Sequence, residues 1–366
     1  MRFCPTSRKS GNATGTTDVK RVLSAGLLVA IQILRGAELP AAGRYDDLPD
    51  RAFGVHCLFR VYPAVSEASG AALVTDTNGA VSYWSHGDSG TGTVLGRTDM
   101  VSLKTERIQL AGRAGGQPVE NADWESLSPD PDGNLWIVDG GGNNFDRHFI
   151  VSYKINPRDP TRPLPVLRRI TVDYPPHPPA TKTPDADSPE RWGPDVEASI
   201  VFDGSLFLIE KTVLDTPRIY QVNLASVPSN AITARIPARQ IGVLSQTAQK
   251  GTAQIPISLV TDASMCGTNV YLLTYYGVFC LPVAEFTKAA KSPAAETVIG
   301  RDNLQFLFSI VGIPNFLVQA EGLVAISHDQ FLISREDGRV FCWRNGHFEE
   351  PPPRRAGLPL PAAAGK

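Results

Sequence analysis

Residues 121–146 read NADWESLSPDPDGNLWIVDGGGNNFD. Two acidic residues flank Trp124, a short run leads into the turn formers Pro131, Asp132, Gly133 and Asn134, and a second apolar run, LWIVD, ends in three glycines and two asparagines. This is the pattern of a strand, a tight turn and a second strand. It raises the question of why Asp-Trp-Glu should head one strand and Asp-Gly-Gly-Gly-Asn-Asn close the next.

Working outward, the unit recurs. Segments opening SEASGAALV at Ser66, DWESLSPD at Asp123, DVEASIVFD at Asp195, VTDASMCG at Val260 and QAEGLVAIS at Gln319 each carry an acidic residue, run into an apolar strand and turn at Gly, Asn or Asp. A second strand follows each of them: AVSYWSHGDSG, GNLWIVDGGGNN, GSLFLIEKT, NVYLLTYYG and DQFLISRED. Most then continue into a third, such as HFIVSYKI, PRIYQVNL, GVFCLPV and GRVFCWR. Glu67, Glu125, Glu197, Asp262 and Glu321 are spaced 58, 72, 65 and 59 residues apart, long for a propeller blade but regular. The chain therefore reads as all-β and as a five-bladed β-propeller, with six blades as the alternative. The last unit has three strands of its own. HCLFRVYPA near residue 56 is expected to supply its outer strand and close the ring.

Composition agrees with that reading. With 32 Gly and 30 Pro in 366 residues, the chain is punctuated too often for long helices. A net charge of -2 gives no field for nucleic acid. Lys20 and Arg21 precede the apolar run VLSAGLLVAIQIL (22–34) and the small residues Ala41, Ala42 and Gly43, the order of a secretory signal. That run is too short to span a bilayer. The polar leader before it is long, so the biological start is expected nearer Val19. The expected organisation is a leader with signal peptide over 1–43, one propeller over 44–348 and a disordered Pro-rich tail over 349–366. The mature protein is expected to be secreted or periplasmic, monomeric, without a membrane span, and to act on a small-molecule ligand or substrate. Residues 175–194, rich in Pro, read as an excursion covering one face of the disc. Cys57, Cys266, Cys280 and Cys342 lack zinc spacing; Cys57 and Cys342 fall near the two ends of the ring and are expected to form a disulfide, the alternative being four buried apolar thiols.

The first strand of each propeller blade lines the axis, so Glu67, Asp123, Glu125, Asp195, Glu197, Asp262 and Glu321 are expected around one mouth. Crowded carboxylates raise one another's pKa and need compensation from a hard cation, from basic partners or from backbone N–H groups of the next blade. A divalent cation, Ca2+ foremost, suits an oxygen-rich site held by Glu67, Glu125, Glu197, Asp262 and Glu321, with Asp139, Asn143 and Asn144 as further oxygens. His86, Asp88 and Asp139 are candidates for moving a proton, and Lys211 and Arg335 for steadying an oxyanion. GDSG (87–90) and VHC (55–57) resemble scraps of a chymotrypsin-type triad, but so short a separation leaves no room for its two barrels. GGGNN opens no helix and is no dinucleotide fingerprint.

The succession ASG, HGDSG, DWES, DGGGNN, DVEA, EKT, VTDAS, LTYYG, QAEG and SRED resembles that of secreted or lipid-anchored bacterial propellers described as phytase-like or esterase-like, whose pattern includes H-N-D-S-G, D-W-E-D, G-D-x-G-D-N, T-D-A and R-T-Y. The match runs in order from about Ser66 to Glu336. It departs where R-T-Y becomes Leu273-Thr274-Tyr275, which loses a cation and makes the mouth more acidic. Calcium-dependent lactonase and paraoxonase propellers are similar in architecture at a greater distance. Two functions are thus expected: an exported metal-dependent hydrolase of esters, lactones or phosphoesters, or a non-catalytic binding propeller whose acidic channel is a structural network.

Overall fold

The computed structural model describes residues 51–52, 55–62, 64–142, 149–175, 195–212, 216–295, 297–310 and 319–348. The leader over 1–43, the Pro-rich excursion beyond Pro175, Asn143 and Asn144, and the tail over 349–366 lie outside them.

Runs such as Leu135–Asp139 are apolar on both faces because each sheet is sandwiched between two others. Leu135 and Ile137 pack into one buried cluster with Trp84 and Leu95, whereas Trp136 and Val138 pack into another with Leu206 and Leu208. Period-two alternation thus divides one strand between two cores. Among the described residues five such clusters occur, one at each seam between consecutive sheets, the last joining Val324, Leu332 and Val340 to Ala68, Ala71 and Tyr83. Five seams close a ring of five blades.

The blades begin with the inner strands Ala68–Thr75, Trp124–Pro129, Val196–Phe202, Val260–Cys266 and Ala320–Ser327, each antiparallel to the strand that follows it. Blades 2 and 3 each gain a parallel outer strand from the chain further on, Thr233–Pro237 and Val298–Ile299, and blade 4 gains the hairpin Thr247–Lys250 and Ala253–Pro256. These additions explain the long repeat spacing. Among the described residues one α-helix occurs, Val283–Lys291, which buries Phe286 and Ala289 against the seam of blades 3 and 4.

The ring closes as expected. Phe59–Arg60 pairs antiparallel with Val340 and Arg339 of the third strand of blade 5, and Val61 N–H donates to the Gly338 carbonyl at 2.8 Å. The expected Cys57–Cys342 disulfide is not formed. Leu58 N–H donates to the Val340 carbonyl, although Val340 already stands opposite Phe59. This one-residue irregularity turns Cys57 into the cluster of Phe341 and Phe331, while Cys342 packs with Phe59 and Val61 on the other face.

Inner strands of neighbouring blades share no ladder, so their edges are satisfied by side chains. Ser128 Oγ donates to the Ser199 carbonyl at 2.7 Å, Thr261 Oγ1 to the Ala320 carbonyl at 2.7 Å, and Ser69 Oγ to the Glu125 carbonyl at 3.0 Å. These ties account for the small polar residues threaded through otherwise apolar strands.

Candidate functional site

Each inner strand carries a β-bulge near its start, leaving Gly70, Glu125, Glu197, Thr261 and Glu321 out of the pairing register. A bulge bends the strand and re-aims one side chain. It brings Glu125, Glu197 and Glu321 together on the axis, where they are 6, 4 and 4% exposed. A second set is fixed by one repeated hydrogen bond: Asp88 N–H to the Glu67 carbonyl, Gly140 to Asp123, Lys211 to Asp195 and Glu336 to Gln319, at 2.9, 3.1, 2.8 and 3.1 Å. These pairs rim the site at the strand ends. Asp88, Asp195, Lys211, Tyr275 and Glu336 are partly exposed, above the buried floor of glutamates.

Oxygens of Asp88, Asp123 and Glu125 lie within 4.8 Å of one another. Asn121 holds them in place: its Nδ2 donates to the carbonyls of Gly87 and Asp88 at 3.0 Å each, and its Oδ1 accepts from Trp124 N–H at 3.1 Å. Ser69 Oγ also reaches Glu125 Oε2 at 3.3 Å. The glycine run now has a reason. Gly141 lies against these carboxylates, and a Cβ there would collide with Asp123 Oδ2 and Glu125 Oε1. Asp139 closes the arrangement by accepting the Asp123 N–H at 2.7 Å, so it organises the backbone of the site.

Burial dominates the electrostatics. The Asp88 carboxyl is pushed up to about 8 by burial, then by its hydrogen bond to Asp123. Burial lifts Glu125 well above the carboxylate range, aided by the charges of Glu197 and Asp88. Glu197 rises to about 8 through burial that Lys211, with Nζ 2.9 Å from Oε1, does not fully offset. Burial raises Asp195, Glu321 and Glu336 as well, the last to about 7. Burial works against the Lys211 charge, yet Glu197, Tyr275, Glu321 and Asp195 hold its pKa well above the ordinary value. Its Nζ lies 5.2 Å over the Tyr275 ring.

Of the remaining sequence candidates, Glu67 is near enough for its charge to raise Asp88 and Glu336, and the others make other contacts. Glu67 precedes its strand in the left-handed region (φ 48°); its carbonyl accepts the Asp88 N–H as that of Asp123 accepts the Gly140 N–H, but it stands three residues before its bulge position, Gly70, whereas Asp123 stands two before Glu125. Asp262 follows the bulge residue Thr261 and faces the neighbouring blade, where its oxygens accept Ala263 N–H at 2.8 Å and Leu323 N–H at 2.7 Å. It ties blades together. His86 is buried, edge-on to Trp124 at 5.7 Å, and burial lowers its pKa to about 4. Arg335 is buried with Nη2 3.8 Å from Asp337 Oδ2. Tyr275 and Glu336 were not candidates in the sequence. Their signal was positional: both follow the second strand of a blade, as Asp88 and Lys211 do.

Fold and site together define a five-bladed β-propeller with a buried, carboxylate-rich axial site. No protein-family model and no curated protein matches the sequence. Similar solved structures include a GH43_1 enzyme from Xanthomonas citri complexed with xylotriose (10% identity, TM-score 0.37, covering 79% of this chain and 92% of that one). Another is the calcium-binding protein regucalcin from Agrobacterium tumefaciens (12%, TM-score 0.35, covering 80% and 77%). A third is a protein described as a gluconolactonase (12%, TM-score 0.35, covering 80% and 93%). At such identities and scores, no residue role passes from them to this chain. Among the described residues no helix is long and apolar enough to cross a membrane.

Proposed function

We propose that this chain is an exported, metal-assisted hydrolase of small esters, lactones or phosphoesters, with a divalent cation held by Asp88, Asp123 and Glu125. The observation that carries the reading is the convergence of those three carboxylates within 4.8 Å under Gly141, a cradle that a Cβ would fill. When bound, a hard cation such as Ca2+ polarises a carbonyl or phosphoryl oxygen and acidifies a water. The protein's own groups supply the rest. Lys211, held by Glu197, presents a positive charge to an oxygen that gains negative charge. Glu197, with its pKa near 8, exchanges a proton close to neutral pH and suits general acid–base work. Asn121 and Ser69 fix the carboxylates so that little reorganisation is needed. Export is proposed on the signal-like order of residues 20–43, together with the resemblance to secreted propellers.

The non-catalytic reading draws on one observation, the Asp88–Asp123 hydrogen bond, by which the acidic residues satisfy one another without a ligand. Metal analysis of the purified protein and turnover by Glu125→Gln separate the two. Stoichiometric metal, with at least a hundredfold loss of turnover in a folded variant, is the result expected of the hydrolase. Unchanged turnover would remove Glu125 from the reaction.

A further inference from the structure

Blades 3 and 5 present the same three positions with different chemistry. In blade 3 they are Asp195, Glu197 and Lys211, and the Lys211 ammonium sits 2.9 Å from Glu197 Oε1. In blade 5 they are Gln319, Glu321 and Glu336, set by the same backbone hydrogen bond, from Glu336 N–H to the Gln319 carbonyl. A carboxylate therefore occupies the place where blade 3 has an ammonium.

Gln319 Nε2 donates to Glu336 Oε1 at 2.7 Å. That leaves Gln319 Oε1, Glu321 Oε2 and Glu336 Oε2 buried with no donor, and Glu321 itself is only 4% exposed. Buried acceptors of this kind are costly unless something donates to them. A proton shared between Glu321 Oε2 and Glu336 Oε2 engages those two and still leaves Gln319 Oε1 without a donor. Calcium takes six to eight oxygens. A primary ammonium carries three N–H donors, matching the three acceptors in number and opposing them in charge.

We infer that the axial end of blade 5 is a subsite for a primary ammonium group of a small-molecule ligand, bound by Gln319 Oε1, Glu321 Oε2 and Glu336 Oε2. Combined with the proposed hydrolysis, this narrows the substrate class to amine-bearing esters, lactones or phosphoesters; the binding itself does not depend on that reaction. Blade 3 is the protein's internal precedent, since there its own lysine fills the equivalent role.

The test is calorimetric titration of the full-length, chelator-treated protein with propylammonium, against tetramethylammonium and propanol at constant ionic strength. Propylammonium should bind at least tenfold more tightly than tetramethylammonium, which has the charge but no N–H. Glu336→Gln, nearly isosteric, should weaken it about tenfold or more. Glu336→Lys should abolish it and raise the melting temperature by restoring the ion pair of blade 3. Glu125→Gln, which tests the metal reading, should leave amine binding within threefold. Equal binding of the two ammonium ions, unchanged affinity in Glu336→Gln, or calcium binding that Glu336→Gln removes while propylammonium does not bind would each overturn the assignment.

Discussion

Asp262→Asn should destabilise the protein by about 2–4 kcal/mol, while Glu125→Gln, equally conservative, should cost nothing or stabilise. The difference lies in what each carboxylate accepts. Asp262 takes the N–H groups of Ala263 and Leu323 at 2.8 and 2.7 Å, and Ala71 N–H also reaches it, so one side chain closes edges of blades 4, 5 and 1. In the asparagine variant an NH2 group replaces one of these acceptors and faces a backbone donor. An orphaned buried donor costs ~1–3 kcal/mol, and the donor–donor contact adds to it. Burial, and then the charges of Glu197 and Asp88, raise the Glu125 pKa, so replacing its carboxylate with a neutral amide removes a charge that is costly to bury there. Urea denaturation of both variants without metal would measure the difference, and thermal melting should show a fall of roughly 5–10 °C for Asp262→Asn. An Asp262→Asn protein within about 0.5 kcal/mol of wild type would refute the division of these acids into blade ties and site groups.

Two further outcomes follow from the same site. Without metal, Asp88, Glu197 and Glu336, at about 8, 8 and 7, bind more protons folded than unfolded above the ordinary carboxylate pKa of about 4. Their contribution to stability therefore falls as pH rises from about 4 to about 8, opposed by His86 only below about 6.5; the chelator-treated melting temperature should drop between pH 6.5 and 9, and a rise over that range would contradict the burial argument. Gly141→Ala should weaken Ca2+ binding about tenfold or more by calorimetry, because its Cβ meets both Asp123 and Glu125; unchanged affinity would detach the glycine loop from the site.

The fold was legible because its signal is repeated and local. Doubly buried strands such as LWIVD and SLFLI, turns of the Asp-Gly-Asn kind and the short last unit led to five blades and to closure near residue 59. The site was legible only in part, because acidic residues were aligned by type, whereas the strands align by bulge. A bulge consumes one residue, and a one-residue offset sends a side chain to the other face. Thus Glu125, Glu197 and Glu321 converge, Asp262 turns to the next blade, and Glu67 belongs with Asp123. Cys57 went astray for the same reason, through an irregularity at Leu58 that no composition or spacing announces. Tyr275 and Glu336 lie where Asp88 and Lys211 do, at the ends of second strands, but in blade 4 that residue is an uncharged tyrosine and in blade 5 the charge of Arg335 marks a position one residue too early.

Blade 4 shows that the fold does not require the axial acids. At the three positions where blade 3 has Asp195, Glu197 and Lys211, blade 4 has Leu259, Thr261 and Tyr275. Its seams are nonetheless complete: Leu259 N–H donates to the Thr212 carbonyl at 3.0 Å and Thr261 Oγ1 to the Ala320 carbonyl at 2.7 Å. At these three positions a propeller seam can therefore be closed with an apolar residue and a hydroxyl, while the buried acid of blade 4, Asp262, stands one residue beyond Thr261 and is satisfied by backbone N–H groups. The other blades carry carboxylates there, and burial raises the pKa of Asp88, Glu125, Asp195, Glu197, Glu321 and Glu336. Groups that cost stability where the same architecture offers a neutral alternative are the signature of a ligand site.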